Sequence, residues 1–219
     1  MRRPGNFAWG TLLNVPVKTR LMLVRHGATT FNQQHRLTGA TDAPLSDEGR
    51  EQMRLLRELL APYPFDIALT SPLQRATESC EILLDGSDIP MIADETLRER
   101  DFGAWEGRSF QEIIDEQPDG GRSIMHGPFV AKFLSGETND VFHTRVEAAR
   151  QAILRQYAGR SVLVVGHAAF LMVFLALSLG LDPATNFATF RLDNASLTLL
   201  DDYEGVPHLL FANRVIHRP

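Results

Sequence analysis

The sequence predicts an α/β chain folded as a three-layer sandwich, with a mostly parallel central sheet flanked by helices. Three observations carry this expectation. Short apolar runs of strand length recur at Leu21-Met22-Leu23-Val24, Ile67-Ala68-Leu69 and Val162-Leu163-Val164-Val165. Amphipathic stretches of helical length lie between them, and this alternation is the pattern of layered α/β folds. The 219 residues, 44% of them hydrophobic, suffice for one substantial core, so one domain is expected. The expected organisation is an N-terminal extension over residues 1–19 and a single domain over 20–219, with a lid-like insertion at about 100–140.

The elements follow in order. The first strand runs into Arg25-His26-Gly27. Ser46 caps a helix with Asp47 and Glu48 in its first turn; Met53, Leu56 and Leu60 mark its apolar face, and Pro62 and Pro64 stop it. The second strand leads to Ser71-Pro72, read as an N-cap and a first-turn proline, and the helix that follows carries Arg75 and reaches Leu84. Residues 97–137 are irregular apart from a short helix over 110–116. A long helix spans 139–157. The third strand ends at Gly166-His167, and the apolar helix after it closes at Gly180. Residues 196–200 and 208–211 form a closing hairpin around Glu204-Gly205, with Leu209-Leu210-Phe211 joining the sheet.

Composition excludes several classes. A formal net charge of −5 argues against nucleic acid and anionic membranes, which need a basic face, but leaves room for a small anion held by a few local cations. Cys80 is the single cysteine, so no internal disulfide forms, and a reducing cytoplasm is the expected location. The apolar run at 168–179 falls short of the roughly 20 residues that span a bilayer. Asn6, Thr11 and Asn14 interrupt the first segment, which is read as a loose extension rather than a secretory signal.

Arg25-His26-Gly27, Ser71-Pro72 and Gly166-His167 each follow the carboxyl end of a strand. In open α/β sheets ligands bind outside those ends, where helix N-termini suit anions. The topology therefore gathers Arg25, His26, Arg75 and His167 at one edge. A phosphomonoesterase without metal needs cations to hold a dianion, a nucleophile whose phosphoryl adduct water can break, and a proton donor for the leaving alkoxide. Arginine forks match phosphate oxygens, and a neutral imidazole nitrogen attacks phosphorus.

The wider pattern is Leu21-Met22-Leu23-Val24-Arg25-His26-Gly27-Ala28-Thr29-Thr30-Phe31-Asn32, then Leu37-Thr38-Gly39, Asp42-Ala43-Pro44-Leu45-Ser46 and Gly49. It continues with Ser71-Pro72-Leu73-Gln74-Arg75-Ala76, Leu97-Arg98-Glu99-Arg100-Asp101-Phe102-Gly103-Ala104-Trp105-Glu106-Gly107, Ser135-Gly136-Glu137 and Val164-Val165-Gly166-His167. In this order it resembles the histidine phosphatase superfamily, which includes cofactor-dependent phosphoglycerate mutases. The resemblance covers residues 20–200 and implies a phosphoglycerate mutase-like fold. It implies that His26 is the nucleophile, that Arg25 and Arg75 clamp phosphate oxygens, that His167 stabilises the transferring group, and that Glu99 donates the leaving-group proton. Asn32, Gly39 and Ala168 are implied as further substrate-binding positions. No metal or cofactor is implied.

Other residues invite plainer readings. Glu95 and Glu106 lie near Glu99 and compete for its role; His35, His126 and His143 read as surface or loop residues. Arg36, Glu137 and Thr138 either line the pocket or stabilise loops. The family often has Ser before and Gly after its second histidine; here Gly166 precedes it and Ala168-Ala169 follow, so the turn there is expected to differ. In the segment 101–140 the cations are Arg108, Arg122 and Lys132, few for a mutase that must retain a second phosphate. Phe102, Trp105, Phe110, Met125, Phe129 and Phe133 make the segment moderately apolar.

The expected activity is metal-independent hydrolysis of a small phosphorylated metabolite. A phosphoglycerate mutase and a catalytically weak phosphate-binding regulatory module are the alternatives. Substrate identity stays open among sugar phosphates, nucleoside-type phosphates such as α-ribazole phosphate, and broad specificity. The oligomeric state is open, a homodimer included.

Overall fold

Four consecutive side chains of the first strand, Leu21 to Val24, are at most 1% exposed, so this strand must lie inside the sheet with cover on both faces. The computed structural model, which describes residues 17–116, 135–186 and 189–216, places it there. The strands are β1 (Lys18–Arg25), β2 (Ile67–Thr70), β3 (Met91–Ala93), β4 (Ser161–Gly166), β5 (Leu197–Tyr203) and β6 (Val206–Arg214). They form one sheet in the order β3-β2-β4-β1-β5-β6. The first four run parallel, while β5 and β6 close the sheet as an antiparallel hairpin. The sheet is thus mostly parallel, as expected.

Side chains alternate between the two faces. Leu21, Leu23, Val162 and Val164 meet Phe142 and Val146 of α5 (Asn139–Gln156) and Phe170 and Phe174 of α6 (Ala168–Ser178). Met22, Val24, Leu163 and Val165 meet Met53 and Leu56 of α2 (Asp47–Leu60) and Cys80 and Leu83 of α3 (Gln74–Leu84). Three layers result. Short helices α1 (Thr30–Gln33), α4 (Phe110–Glu116) and α7 (Pro183–Asn186) and two 3-10 turns, Glu95–Leu97 and Gly103–Trp105, complete the described elements.

Three expectations change in detail. β1 begins at Lys18 and takes in the end of the expected extension, whose residues 1–16 lie outside the described residues. Ser71 does not cap α3: the helix begins at Gln74, and Asp42 Oδ1 accepts from the Gln74 N–H at 2.7 Å. The edge strand β3 has no counterpart in the sequence reading, because its Met91, Ile92 and Ala93 are all exposed and carry no core signal. In the insertion, Phe102 and Trp105 pack into the core, whereas Met125, Phe129, Phe133 and His126 lie outside the described residues.

The N-terminus of α2 sits directly on the turn after β1. Ser46 caps the helix through the Gly49 N–H at 3.1 Å and donates its own hydroxyl to the Ala28 carbonyl at 3.0 Å. A Cβ on Gly49 would overlap the Ala28 backbone. Alanine normally stabilises a helix relative to glycine by about 1 kcal/mol. Here the opposite sign is expected: Gly49→Ala should lower stability by about 1–3 kcal/mol, measured by urea unfolding, because the helix must back away from the turn.

Candidate active site

Each strand end contributes one piece. Arg25 closes β1, and its Nη1 donates to the Leu192 carbonyl at 2.6 Å. His26 follows, 4% exposed, with Nδ1 2.7 Å from the Gly27 carbonyl oxygen. A carbonyl only accepts, so Nδ1 carries the proton and Nε2 presents its lone pair. His167 ends the turn after β4, fully buried, its ring centroid 5.2 Å from that of His26 and inclined at 62°. Its Nε2 lies 2.7 Å from the Ser71 hydroxyl, at the end of β2. Arg75, in the first turn of α3, is 1% exposed and donates to the carbonyls of Thr41 at 2.8 Å and Gly39 at 2.7 Å.

Three buried polar atoms in this cluster, Arg25 Nε, Arg75 Nε and His167 Nδ1, have no hydrogen-bond partner among the described residues. Buried polar groups are normally paired, so three orphans around one imidazole mark a place shaped for a polar ligand. The electrostatics specify an anion. Burial lowers the Arg75 guanidinium only to about 10, so it stays charged at neutral pH, and Arg25 is also lowered by burial. Burial first, and then the positive charges of Arg75 and Arg25, hold the His26 imidazole well below its ordinary value. The same causes act on His167, to which His26 and Arg145 add. Both imidazoles are neutral.

Glu99 is 9% exposed and bridges the site to α6. Its Oε1 accepts from the N–H groups of Arg100 at 3.0 Å and Phe170 at 3.1 Å, and its Oε2 from that of Ala169 at 3.1 Å. It caps the helix that His167 opens without a side-chain bond of its own. Its negative charge also acts on both Arg25 and Arg75.

Of the expected residues, Arg25, His26, Arg75, Glu99 and His167 come together. Asn32 joins through its Oδ1, which accepts from Thr29 and from the Asn194 amide at 3.2 Å. Gly39, at a φ of +58°, contributes the carbonyl that holds Arg75. Ala168 is the first residue of α6. Glu106 does not compete for the acid's place: it accepts from the N–H groups of Ala40, Thr41 and Phe102 and from the Thr41 hydroxyl, and so pins the loop around Arg75. Glu137 pairs with Arg145, Thr138 caps α5, and Arg36 bonds the Gly107 carbonyl, which are loop-stabilising roles. His35 is exposed, but His143 is half-buried within α5 rather than on a loop. The sequence reading missed Ser71 as a partner of His167, and it missed Asn194 altogether. Before a strand, Asn194 reads as an ordinary turn residue.

A buried pocket of two neutral histidines and two arginines, at the carboxyl edge of a mostly parallel sheet, defines a protein built to bind and work on an anion. The chain belongs to the histidine phosphatase superfamily, branch 1, whose family model matches residues 21–214, and it is an enzyme of the phosphatase type. It is 27% identical to phosphoserine phosphatase 1 of Hydrogenobacter thermophilus, over 90% of this chain and 93% of that protein. It is 31% identical to a probable phosphoglycerate mutase, GpmB, of Enterobacter sp. strain 638, over 87% of each. A solved structure, a putative alpha-ribazole-5'-P phosphatase from Escherichia coli K-12, superposes with a TM-score of 0.80 at 28% identity, covering 92% of this chain and 99% of that one. Among the described residues no helix is long and apolar enough to cross a membrane, and no three His, Cys, Asp or Glu side chains are grouped to hold a metal ion.

The neutral histidines set a pH dependence. Above about 6.5 neither the folded nor the unfolded chain protonates them, and their burial imposes no pH-linked penalty. Below about 6.5 the unfolded chain takes up protons that the folded chain refuses. Stability is then expected to fall by roughly 1.4 kcal/mol per pH unit for each histidine. Chemical denaturation between pH 7.5 and 5 checks this, and His167→Gln should flatten the slope by about half.

Proposed function

We propose that this protein hydrolyses a phosphomonoester of a small metabolite through a phosphohistidine on His26. The observation that carries the reading is the Nδ1–Gly27 carbonyl bond, which leaves Nε2 as an unprotonated nucleophile in a pocket with two buried guanidinium groups. In the first step Nε2 attacks phosphorus and the ester P–O bond breaks. The leaving alkoxide takes a proton from the Glu99 carboxyl group, which enters this step in its protonated form and leaves it as the carboxylate. Arg25, Arg75 and His167 carry the charge of the transferring phosphoryl group, and Asn32, Gly39 and Ala168 complete its surroundings. In the second step water attacks the phosphohistidine and gives a proton to the Glu99 carboxylate, the N–P bond breaks, and inorganic phosphate leaves with His26 and the Glu99 acid restored. No metal ion or cofactor enters either step.

Phosphoserine phosphatase 1 and the putative alpha-ribazole-5'-P phosphatase support hydrolysis, and with it a small phosphorylated metabolite rather than nucleic acid or a membrane as the partner. The buried, unpaired Cys80 fits a reducing compartment, and we place the protein in the cytoplasm on that ground. The likeness to GpmB favours a second reading, phosphoryl exchange on phosphoglycerate. Of the three cations in the insertion, Arg108 is paired with Glu116, and Arg122 and Lys132 lie outside the described residues.

The test is phosphate release from a panel of phosphomonoesters in EDTA. Wild type should release phosphate, and His26→Ala should lose activity by about a thousandfold or more. Arg75→Ala should lose about a hundredfold. Glu99→Gln should slow alkyl phosphates much more than p-nitrophenyl phosphate, whose leaving group needs no proton. A wild type that only exchanges phosphate between the carbons of phosphoglycerate would transfer the assignment to the mutase. A wild type that binds phosphate without either reaction would make it a binding module.

A further inference from the structure

The segment just before β5 holds the nucleophile's turn through its backbone. The Ala195 N–H donates to the His26 carbonyl at 3.1 Å, and the Arg25 N–H donates to the Ser196 carbonyl at 3.2 Å. Ala195 adopts a φ of +51°, a conformation an alanine rarely takes, so this segment is held in place by its contacts. Its neighbour Asp193 is fastened to the last strand: its N–H donates to Asn213 Oδ1 at 2.6 Å, and its Oδ2 accepts from Asn213 Nδ2 at 2.9 Å.

Asn194 stands between these anchors. Its single amide nitrogen lies 3.1 Å from the His26 carbonyl oxygen, 3.4 Å from the Gly27 carbonyl oxygen and 3.2 Å from Asn32 Oδ1. All three are acceptors, so the amide must present its NH2 to them, which fixes which way the side chain points. The Gly27 carbonyl is the oxygen that accepts from His26 Nδ1. The same carbonyl thus receives the imidazole proton and a longer contact, at 3.4 Å, from the Asn194 amide, whose two N–H groups are shared with the nearer His26 carbonyl and Asn32 Oδ1.

We propose that Asn194 is a positioning residue for the nucleophile: it orients the Gly27 carbonyl, and through it the tautomer and direction of the His26 ring. Its bond to Asn32 couples that orientation to the helix that starts three residues after Gly27. Asn194 touches neither the cations of the pocket nor the reacting atoms. Its removal is expected to act first on phosphoryl transfer, since it makes no bond to the guanidinium groups of Arg25 or Arg75. This rests on the phosphohistidine reading for its effect on turnover, but the effect on the ring is independent of it.

The experiment uses the full chain with Asn194→Asp and Asn194→Ser. The Asp variant keeps shape and volume while replacing a donor with an acceptor, and Asn32 cannot turn to meet it because Thr29 holds the same Oδ1. The Ser variant keeps a short donor and covers the case in which the Asp variant does not fold. Long-range 15N–1H NMR should show His26 as the Nδ1–H tautomer in wild type and a mixture in Asn194→Asp. kcat should fall roughly tenfold or more in Asn194→Asp. Inhibition by inorganic phosphate should hold in Asn194→Ser, which adds no charge, while its kcat lies between those of wild type and Asn194→Asp. An unaltered tautomer with full kcat would overturn the proposal. So would a parallel loss of kcat, phosphate inhibition and thermal midpoint, which marks a merely structural contact. If wild type turns over no phosphomonoester, the hydrolase reading fails, yet the tautomer comparison still decides the role of Asn194.

Discussion

Two guanidinium groups and two imidazoles share one buried pocket, and the repulsion among them governs the surrounding structure. Desolvation and the arginine charges together make protonation of either histidine unfavourable, so the imidazoles remain neutral while the cations persist. Among the described residues no carboxylate makes a direct ion pair with Arg75. Backbone carbonyls of Gly39 and Thr41 hold it instead, and Leu192 does the same for Arg25. Carbonyl dipoles keep a cation solvated without cancelling its charge, which leaves the field available to an incoming dianion.

Cations held by carbonyls depend on the loops that carry those carbonyls. This explains the polar bonds that ring the site. Glu106 gathers four donors from two loops and thereby fixes residues 39–41. Glu99 takes three backbone N–H groups and joins the strand-end segment after β3 to the start of α6. Ser46, the cap of α2, clips the turn after His26 through the Ala28 carbonyl. Each is a side chain working on backbone, so the geometry of the pocket is inherited from the sheet rather than from flexible side-chain pairs.

The sheet's centre and the charged site residues were legible in the sequence for different reasons. Continuous apolar runs can only be buried strands, and Arg25, His26, Arg75 and His167 sit next to their ends in the chain. Glu99 was legible only through family resemblance, since nothing in its local pattern separates it from Glu95 or Glu106. What stayed hidden depends on contacts distant in sequence. Asp42 caps α3 from another loop, Ser71 turns away from the helix to meet His167, and Asn194 meets the nucleophile's turn from the far end of the chain. β3 was missed because an exposed edge strand of three residues carries no hydrophobic period. Ala168 and Ala169 in place of the usual glycine find an explanation in the fold: α6 starts at once after His167, and its N–H groups go to Glu99.

β1 pairs on one side with β4 and on the other with β5, so both its neighbours come from the second half of the chain. During synthesis, therefore, the apolar strand that carries the nucleophile emerges first and waits, its edges uncovered, until residues 161–166 and then 197–203 have been made. A fold dominated by such distant pairings forms slowly and exposes a sticky intermediate on the ribosome. Loss of the chain from residue 192 onward would strand β1 with one open side and leave Arg25 without the Leu192 carbonyl. A truncated chain would thus be a candidate for quality control rather than a weak enzyme.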